Sequence, residues 1–301
     1  LSEELSLSIS FEPRHIHELA AVRRELAQIH KARRAGIPRA YKVLRVKAQK
    51  NMARAAVLWK DKVRKAVLAR LARGLPKGSP AEIADKLADW KALEKMGEDI
   101  FFPALMEAHS LGYKSVRFKA GGGSIGEMTE RSAKWAGKHA GELVKGITEE
   151  TRYGIRGYIS SGIVSGRDLG TLGRELRTIV GVSGKQGESL GKYYSDLLES
   201  GMDEGEIMSK IERLAQHMQT DRAMTIARTE TAEALSEGTR LSYKEHGIEK
   251  LEWVADPTAC EEICLPNDGR VYDVDEAEGE IPAHPRCECC WAMAIGEESS
   301  E

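Results

Sequence analysis

Two short runs of the chain carry residue types that can hold a metal ion: Cys260 with Cys264, and His284 with Cys287 and Cys289. A structural zinc takes four Cys or His ligands in a tetrahedron and stabilises a module too small to build its own core. Cys260 and Cys264 would supply one pair, and two of His284, Cys287 and Cys289 the other. All five cysteines of the 301-residue chain, Cys290 being the fifth, fall between Trp253 and Met293. Clustering this tight in an otherwise cysteine-free chain points to one local site. The spacing departs from the common ribbon pattern, with three residues between the first two cysteines and one between Cys287 and Cys289. Five thiols and an imidazole also exceed four ligands, so at least one is spare. The alternatives to zinc are reduced thiols or a disulfide such as Cys260–Cys289. Cysteines clustered with histidine, in a sequence without a basic-then-apolar leader, favour metal or free thiols.

Three short strands would position these residues. Leu251, Trp253 and Ala255 alternate as one strand, which Asp256-Pro257 ends. Asn267-Asp268-Gly269 is a turn signal leading into a second strand, Arg270 to Val274. An acidic loop from Asp275 to Glu280 leads to His284-Pro285, and a third strand carries Trp291, Met293 and Ile295. This is the layout of a zinc ribbon. A helix precedes it, expected from about Asp221, capped by Thr220, to a stop at Gly247. Its apolar stripe passes through Ala223, Ala227, Ala234, Gly238 and Leu241, and the same spacing places Glu230 on that face. A buried carboxylate needs a partner. Arg228 lies on a different side of the helix, so the mate should come from another element. Glu230 reads either as a structural pair fixing the module to the helix, or as a catalytic or partner-contacting group.

The rest of the chain reads as helix. Aromatics are 6% and charged residues 31%, with Ala, Glu, Lys, Arg and Leu dominating the first two thirds. Leu5, Leu7, Ile9 and Phe11 alternate with serines as a lone strand. Leu19, Val22, Leu26 and Ile29 predict a helix that Gly36-Ile37-Pro38 breaks. A second helix, 39–73, buries Met52, Ala55, Ala56, Trp59, Val63, Val67 and Leu71 and leaves Arg45, Lys60, Arg64 and Lys65 as a basic surface. Ser79-Pro80-Ala81-Glu82 is a capping box that starts a helix through Ile83, Leu87, Trp90 and Leu93. A short extended piece (Val116, Phe118) precedes Gly121-Gly122-Gly123, which reads as a joint. Beyond it, Thr148 would cap a helix to Ser160. Leu169–Ile179, Leu190–Leu197 and Ile207–Leu214 mark three more.

Charge is distributed unevenly. From Arg14 to Arg73 there are eighteen Lys/Arg against three acids, a surplus of 15, which leaves −17 for the remainder of a chain with net charge −2. A basic arm on an acidic body can meet nucleic acid or an acidic protein surface; solvated helix faces are the plainer reading. No run approaches the roughly 18 apolar residues of a membrane span. The glycines at 121–126 lack the Lys-Ser/Thr of a phosphate loop.

An ordered set of residues resembles the head morphogenesis minor capsid proteins of tailed phages, of the Mu F and SPP1 gp7 type. It runs from Ile226-Ala227-Arg228-Thr229-Glu230-Thr231 through Tyr243, Gly247-Ile248, Trp253, Asp256, Cys260 and Cys264. It continues with Asp268-Gly269-Arg270-Val271-Tyr272 and ends at His284-Pro285-Arg286-Cys287-Glu288-Cys289. The order and spacing carry the resemblance, over about 205–295. This chain departs from the pattern twice, with Cys-x-x-x-Cys for Cys-x-x-Cys and Cys287-Glu288-Cys289 for Cys-Arg-Cys.

The expected protein is mainly α with a small C-terminal α+β cysteine module. Its regions are 1–120 (strand and basic helices), 121–126 (joint), 127–204 (helical), 205–295 (the family-like domain) and 296–301 (acidic tail). The resemblance implies a non-enzymatic, low-copy virion component, with a few copies per virion, associated with the portal vertex. It would contact the portal or major capsid protein, with a role in head assembly and DNA packaging or ejection. Two other classes compete. One is a nucleic-acid-binding protein acting through 14–73. The other is a metal-dependent enzyme or injected effector using Glu230 and His284.

Overall fold

The structure, a computed structural model, describes residues 13–116 and 125–294. The expected strand at 5–11, the glycine run 121–123 and the tail lie outside these residues, as do the side chains of the Leu19–Ile29 stripe. The fold is mainly helical, with one small antiparallel sheet. In chain order the elements are α1 (Pro13–Leu71), α2 (Pro80–Lys86), α3 (Trp90–Ser115), α4 (Ile125–Val164), α5 (Leu169–Ile179), α6 (Gly184–Glu199), α7 (Glu204–Glu245), β1 (Lys250–Val254), α8 (Cys264–Asn267), β2 (Val271–Asp273) and β3 (Cys290–Met293).

The helices are longer and fewer than the sequence signals suggest. Gly36-Ile37-Pro38 does not break α1, which passes through Pro38. A mid-helix proline removes one hydrogen bond and crowds the preceding turn, a cost that tertiary packing can offset. Here Pro38 is buried, and Ile37 packs beside Tyr41 and Leu235. Thr148 and Thr220 sit inside α4 and α7 and cap nothing. Thr148 is buried, while the Thr220 hydroxyl donates back to the Gln216 carbonyl at 2.9 Å. The two helices expected over 207–247 are therefore one, α7, of 42 residues. Conversely, the helix expected from Ser79 through Leu93 is two: α2 begins at the Ser79–Glu82 capping box, and Asp89 caps α3 by accepting from the Ala92 amide.

The body packs these helices around one core. The buried face of α1 is the expected one, with Met52, Trp59, Val63 and Val67 all inaccessible or nearly so. At the centre α3 and α7 cross at glycines. A Cβ on Gly112 would run into the Leu235 carbonyl, and one on Gly238 into the His109 carbonyl. Gly154 of α4 and Gly187 of α6 meet in the same way.

The sheet has strand order β2-β1-β3, with both pairings antiparallel. Trp253 faces Trp291 across β1 and β3, and Leu251 faces Tyr272 across β1 and β2. The three expected strands are thus present, though shorter, and α8 was not foreseen. Trp253, Trp291 and Tyr272 form a cluster of edge-on rings, with Trp253 and Trp291 centroids 5.5 Å apart. Together with Cys264, Cys287 and Cys289 they make a second, smaller core.

Candidate metal centre and its helical seat

The donor atoms come from three short segments around the sheet. Asp256 starts the first by accepting from the Thr258 amide at 2.9 Å and its hydroxyl at 2.6 Å, which turns the chain toward Cys260. Cys264 opens α8, and its amide points at the Cys260 sulfur at 3.4 Å. The Asp268 carboxylate accepts from the Ala255 amide at 2.8 Å. Gly269, at φ +83°, returns the chain so that its own amide reaches the Trp253 carbonyl. The third segment carries His284, Cys287 and Cys289 into β3.

These side chains converge. His284 Nε2 lies 3.4 Å from Cys260 Sγ and 3.0 Å from Cys264 Sγ, and Cys264 Sγ lies 3.8 Å from Cys287 Sγ. Two thiolates on one zinc, each at about 2.3 Å in a tetrahedron, are separated by about 3.8 Å. Two overlapping groups, Cys260–Cys264–His284 and Cys264–Cys287–Cys289, share Cys264, and the atoms of each lie within 4.8 Å of one another. All five expected residues therefore meet at one place, and they could bind a metal. His284 Nδ1 is 2.9 Å from the Pro285 carbonyl. Donating its proton there leaves Nε2 as the free lone pair toward the sulfurs, the arrangement metal-bound imidazoles use. All five cysteines are free, so no disulfide forms. The hydrogen bond from Cys289 pulls the Cys287 thiol down to about 5, while burial pushes Cys264 up to about 12. Cys290 stands apart: it is fully buried and directs its sulfur toward the Val254 carbonyl.

Helix α7 is the seat of this module, through consecutive residues. Arg228 pairs with Glu288. The Thr229 hydroxyl accepts the Arg286 amide at 3.1 Å. Arg286 occupies the left-handed region at φ 66°, unusual for a residue with a side chain. Its guanidinium holds that conformation by donating to Thr225 Oγ1 at 2.9 Å and pairing with Asp221. About three turns on, Arg240 clamps the acidic loop, donating to the Val274 carbonyl at 3.1 Å and to Glu278 at 3.3 Å. Glu230 has the partner on another element that its burial requires: His139 of α4, at 2.7 Å.

Of the expected basic surface, Lys60 is half-buried and Arg64 and Lys65 are exposed, but Arg45 is not a surface cation. It is 3% exposed and donates to the Glu288 carboxylate at 2.7 Å and the Glu288 carbonyl at 2.9 Å, with Asp256 at 3.8 Å. Helicity alone placed Arg45 outside because its partner is 243 positions away in sequence. His139 has no place in the sequence reading, and Arg286 and Glu288 enter it only as members of the family-like run, without their partners on α1 and α7. The available signal was Glu288 itself, an acid where the family pattern has a cation.

Among the described residues no helix is long and apolar enough to cross a membrane. Residues 188–292 match the family model of the Phage Mu protein F like proteins. No curated protein and no solved structure matches the chain significantly.

Proposed function

We propose that this chain, which carries a Phage Mu protein F like domain over 188–292, is a phage minor capsid protein acting in head morphogenesis. The family match implies a head protein. The finer reading is a low-copy virion component near the portal vertex that contacts portal or major capsid protein and serves head assembly and DNA packaging or ejection. The observation that carries it is the seam between α7 and the cysteine module. Arg228 and Thr229 of the motif each hold the segment bearing Cys287 and Cys289, while Glu230 ties α7 to α4. The motif reads as architecture, which supports a structural role over a catalytic one. In the enzyme reading Glu230 and His284 would act together, yet Glu230 takes His139 and His284 lies against two thiols.

Zinc is the metal we assign to the cysteine cluster, with Cys260, Cys264, His284 and Cys287 as ligands and Cys289 as the spare thiol. Its contribution would be structural, cross-linking the three segments around the sheet. The exposed cations of α1, such as Arg64 and Lys65, would lie against an acidic protein surface or packaged DNA. Any DNA affinity would fall steeply with salt.

The test is co-sedimentation of the full chain with the portal protein of the same phage, at low and high salt, with zinc assayed in the same fractions. Co-migration that survives high salt is expected. Salt-sensitive retention on DNA without portal binding at any salt would favour the nucleic-acid-binding reading instead.

A further inference from the structure

Away from the cysteines, α4 and α7 bring a second set of metal-ligating side chains together. His139 comes from α4, and Glu230 and Glu233 come from α7, where a spacing of three puts them on one face. His139 Nε2 is 2.7 Å from Glu230 and Nδ1 is 3.5 Å from Glu233. One donor atom from each of the three residues lies within 4.8 Å of the other two. All three are partly buried, and the Trp135 ring stacks on the imidazole with centroids 4.6 Å apart. His139 and Glu233, though not Glu230, line a cleft of about 170 Å³ together with Lys138, Glu142, Glu237 and Glu278. Glu237 and Glu278 are taken by Arg240. Glu142, three residues after His139 on the same helix, is exposed and has Lys138, also exposed, at 3.9 Å. Negative charge is in surplus here: the carboxylates of Glu230 and Glu233 both face the one imidazole of His139, with Glu142 on the same cleft.

We propose that His139, Glu230 and Glu233 form a second cation site, distinct from the cysteine cluster, for a divalent first-row ion of the manganese or ferrous class. The donors are one imidazole and carboxylates with no sulfur, a set that suits Mn²⁺ or Fe²⁺. The cleft provides room for the waters such an ion keeps, and Glu142 is placed to serve as a further ligand by a rotamer change. Binding replaces the proton between His139 and a carboxylate by the ion, and that proton leaves to solvent. The ion would join α4 to α7 directly behind the seat of the cysteine module.

Mn²⁺ titration of the full chain, loaded beforehand with zinc, tests this by electron paramagnetic resonance of free Mn²⁺ and by tryptophan fluorescence. One Mn²⁺ per chain is expected, with quenching of Trp135. Trp135→Phe should abolish the quenching and leave the binding. Glu230→Gln/Glu233→Gln should weaken binding by more than about tenfold, equivalent to about 1.4 kcal/mol, with zinc content unchanged. Should that double variant not fold, Glu142→Gln at an exposed position is expected to weaken Mn²⁺ several-fold. No Mn²⁺ retention at millimolar concentration, or retention that these carboxamides leave unchanged, would overturn the proposal and leave His139 as a hydrogen-bond partner of Glu230 only.

Discussion

Arg45 and Glu288 join the first helix to the cysteine segment through two hydrogen bonds, one to the carboxylate and one to the main-chain carbonyl. Glu288 sits between Cys287 and Cys289, so one guanidinium holds a residue flanked by two candidate metal ligands. Arg228 takes the other carboxylate oxygen.

Removing either member should cost more than a surface pair. Breaking a buried pair from one side typically costs about 3–5 kcal/mol. With Glu288 about one-fifth exposed, Arg45→Ala is expected toward the lower end, about 3 kcal/mol. Arg64→Ala, on the exposed side of α1, should be close to neutral. Urea denaturation midpoints of the two variants make the comparison; equal effects would show that Arg45 acts only as a surface cation.

Metal content separates the cluster from the bystander thiol. Cys264→Ser removes the sulfur common to both ligand groups and is expected to abolish zinc binding. Cys290→Ala should retain one zinc, because that sulfur faces Val254. Atomic absorption gives the stoichiometry. Chelation should also change the near-ultraviolet circular dichroism, since Trp253 and Trp291 pack in the same small core as the thiols.

His109 should make the fold acid-sensitive. Burial, with Arg240 a lesser cause, lowers its pKa from 6.5 to about 4. Below 6.5 the unfolded chain binds a proton that the folded chain refuses, so stability falls as pH drops from 6.5 toward 4. The loss reaches up to about 3 kcal/mol. His139, facing Glu230, Glu233 and Glu142, is shifted the other way: burial opposes its charge, but those carboxylates together raise its pKa. Its contribution is present below 6.5 and is lost as pH rises through the raised value. His109→Gln should flatten the acid limb of the stability profile and leave the neutral limb unchanged.

The helix crossing of α3 and α7 allows a paired glycine test. Gly238→Ala forces a methyl against the His109 carbonyl, and overpacking of this kind costs about 1–3 kcal/mol or more. Gly146, exposed on α4 with open space around its would-be Cβ, should gain about 0.5–1 kcal/mol on replacement by alanine. Thermal unfolding should therefore shift in opposite directions.

Much of this was legible in the sequence because it depends on local pattern. Alternation at Leu251 and Trp253 marked β1, and the turn at Asp268-Gly269 marked the hairpin. The tight cysteine window marked the cluster, and Glu230 on an apolar stripe demanded a distant partner. What could not be read depends on long-range packing. The helix breaks assigned at Pro38 and Thr220 follow local propensity, which the buried surroundings of α1 and the length of α7 override. His139 lies 91 positions from Glu230, and no helical period connects them. Arg45 shares its turn with exposed Val43 and Val46, so only the docked module distinguishes it from its solvated neighbours.

The order in which the chain is made gives the Arg45–Glu288 contact a temporal meaning. α1 is translated first and its seat last, with 243 positions between the two ends of the pair and 198 between Tyr41 and its partner Thr239. Through that interval the Tyr41 and Arg45 end of the helix lacks these partners, although Met52, Trp59 and Val63 farther along already have α3 to pack against. Early segments of a growing chain tend to fold before later ones arrive, yet here one end of the first helix must wait for α7 and the cysteine segment. Nascent chains stalled before residue 288 would thus present a cationic helix to whatever acidic surface is nearby, and completion would withdraw part of it.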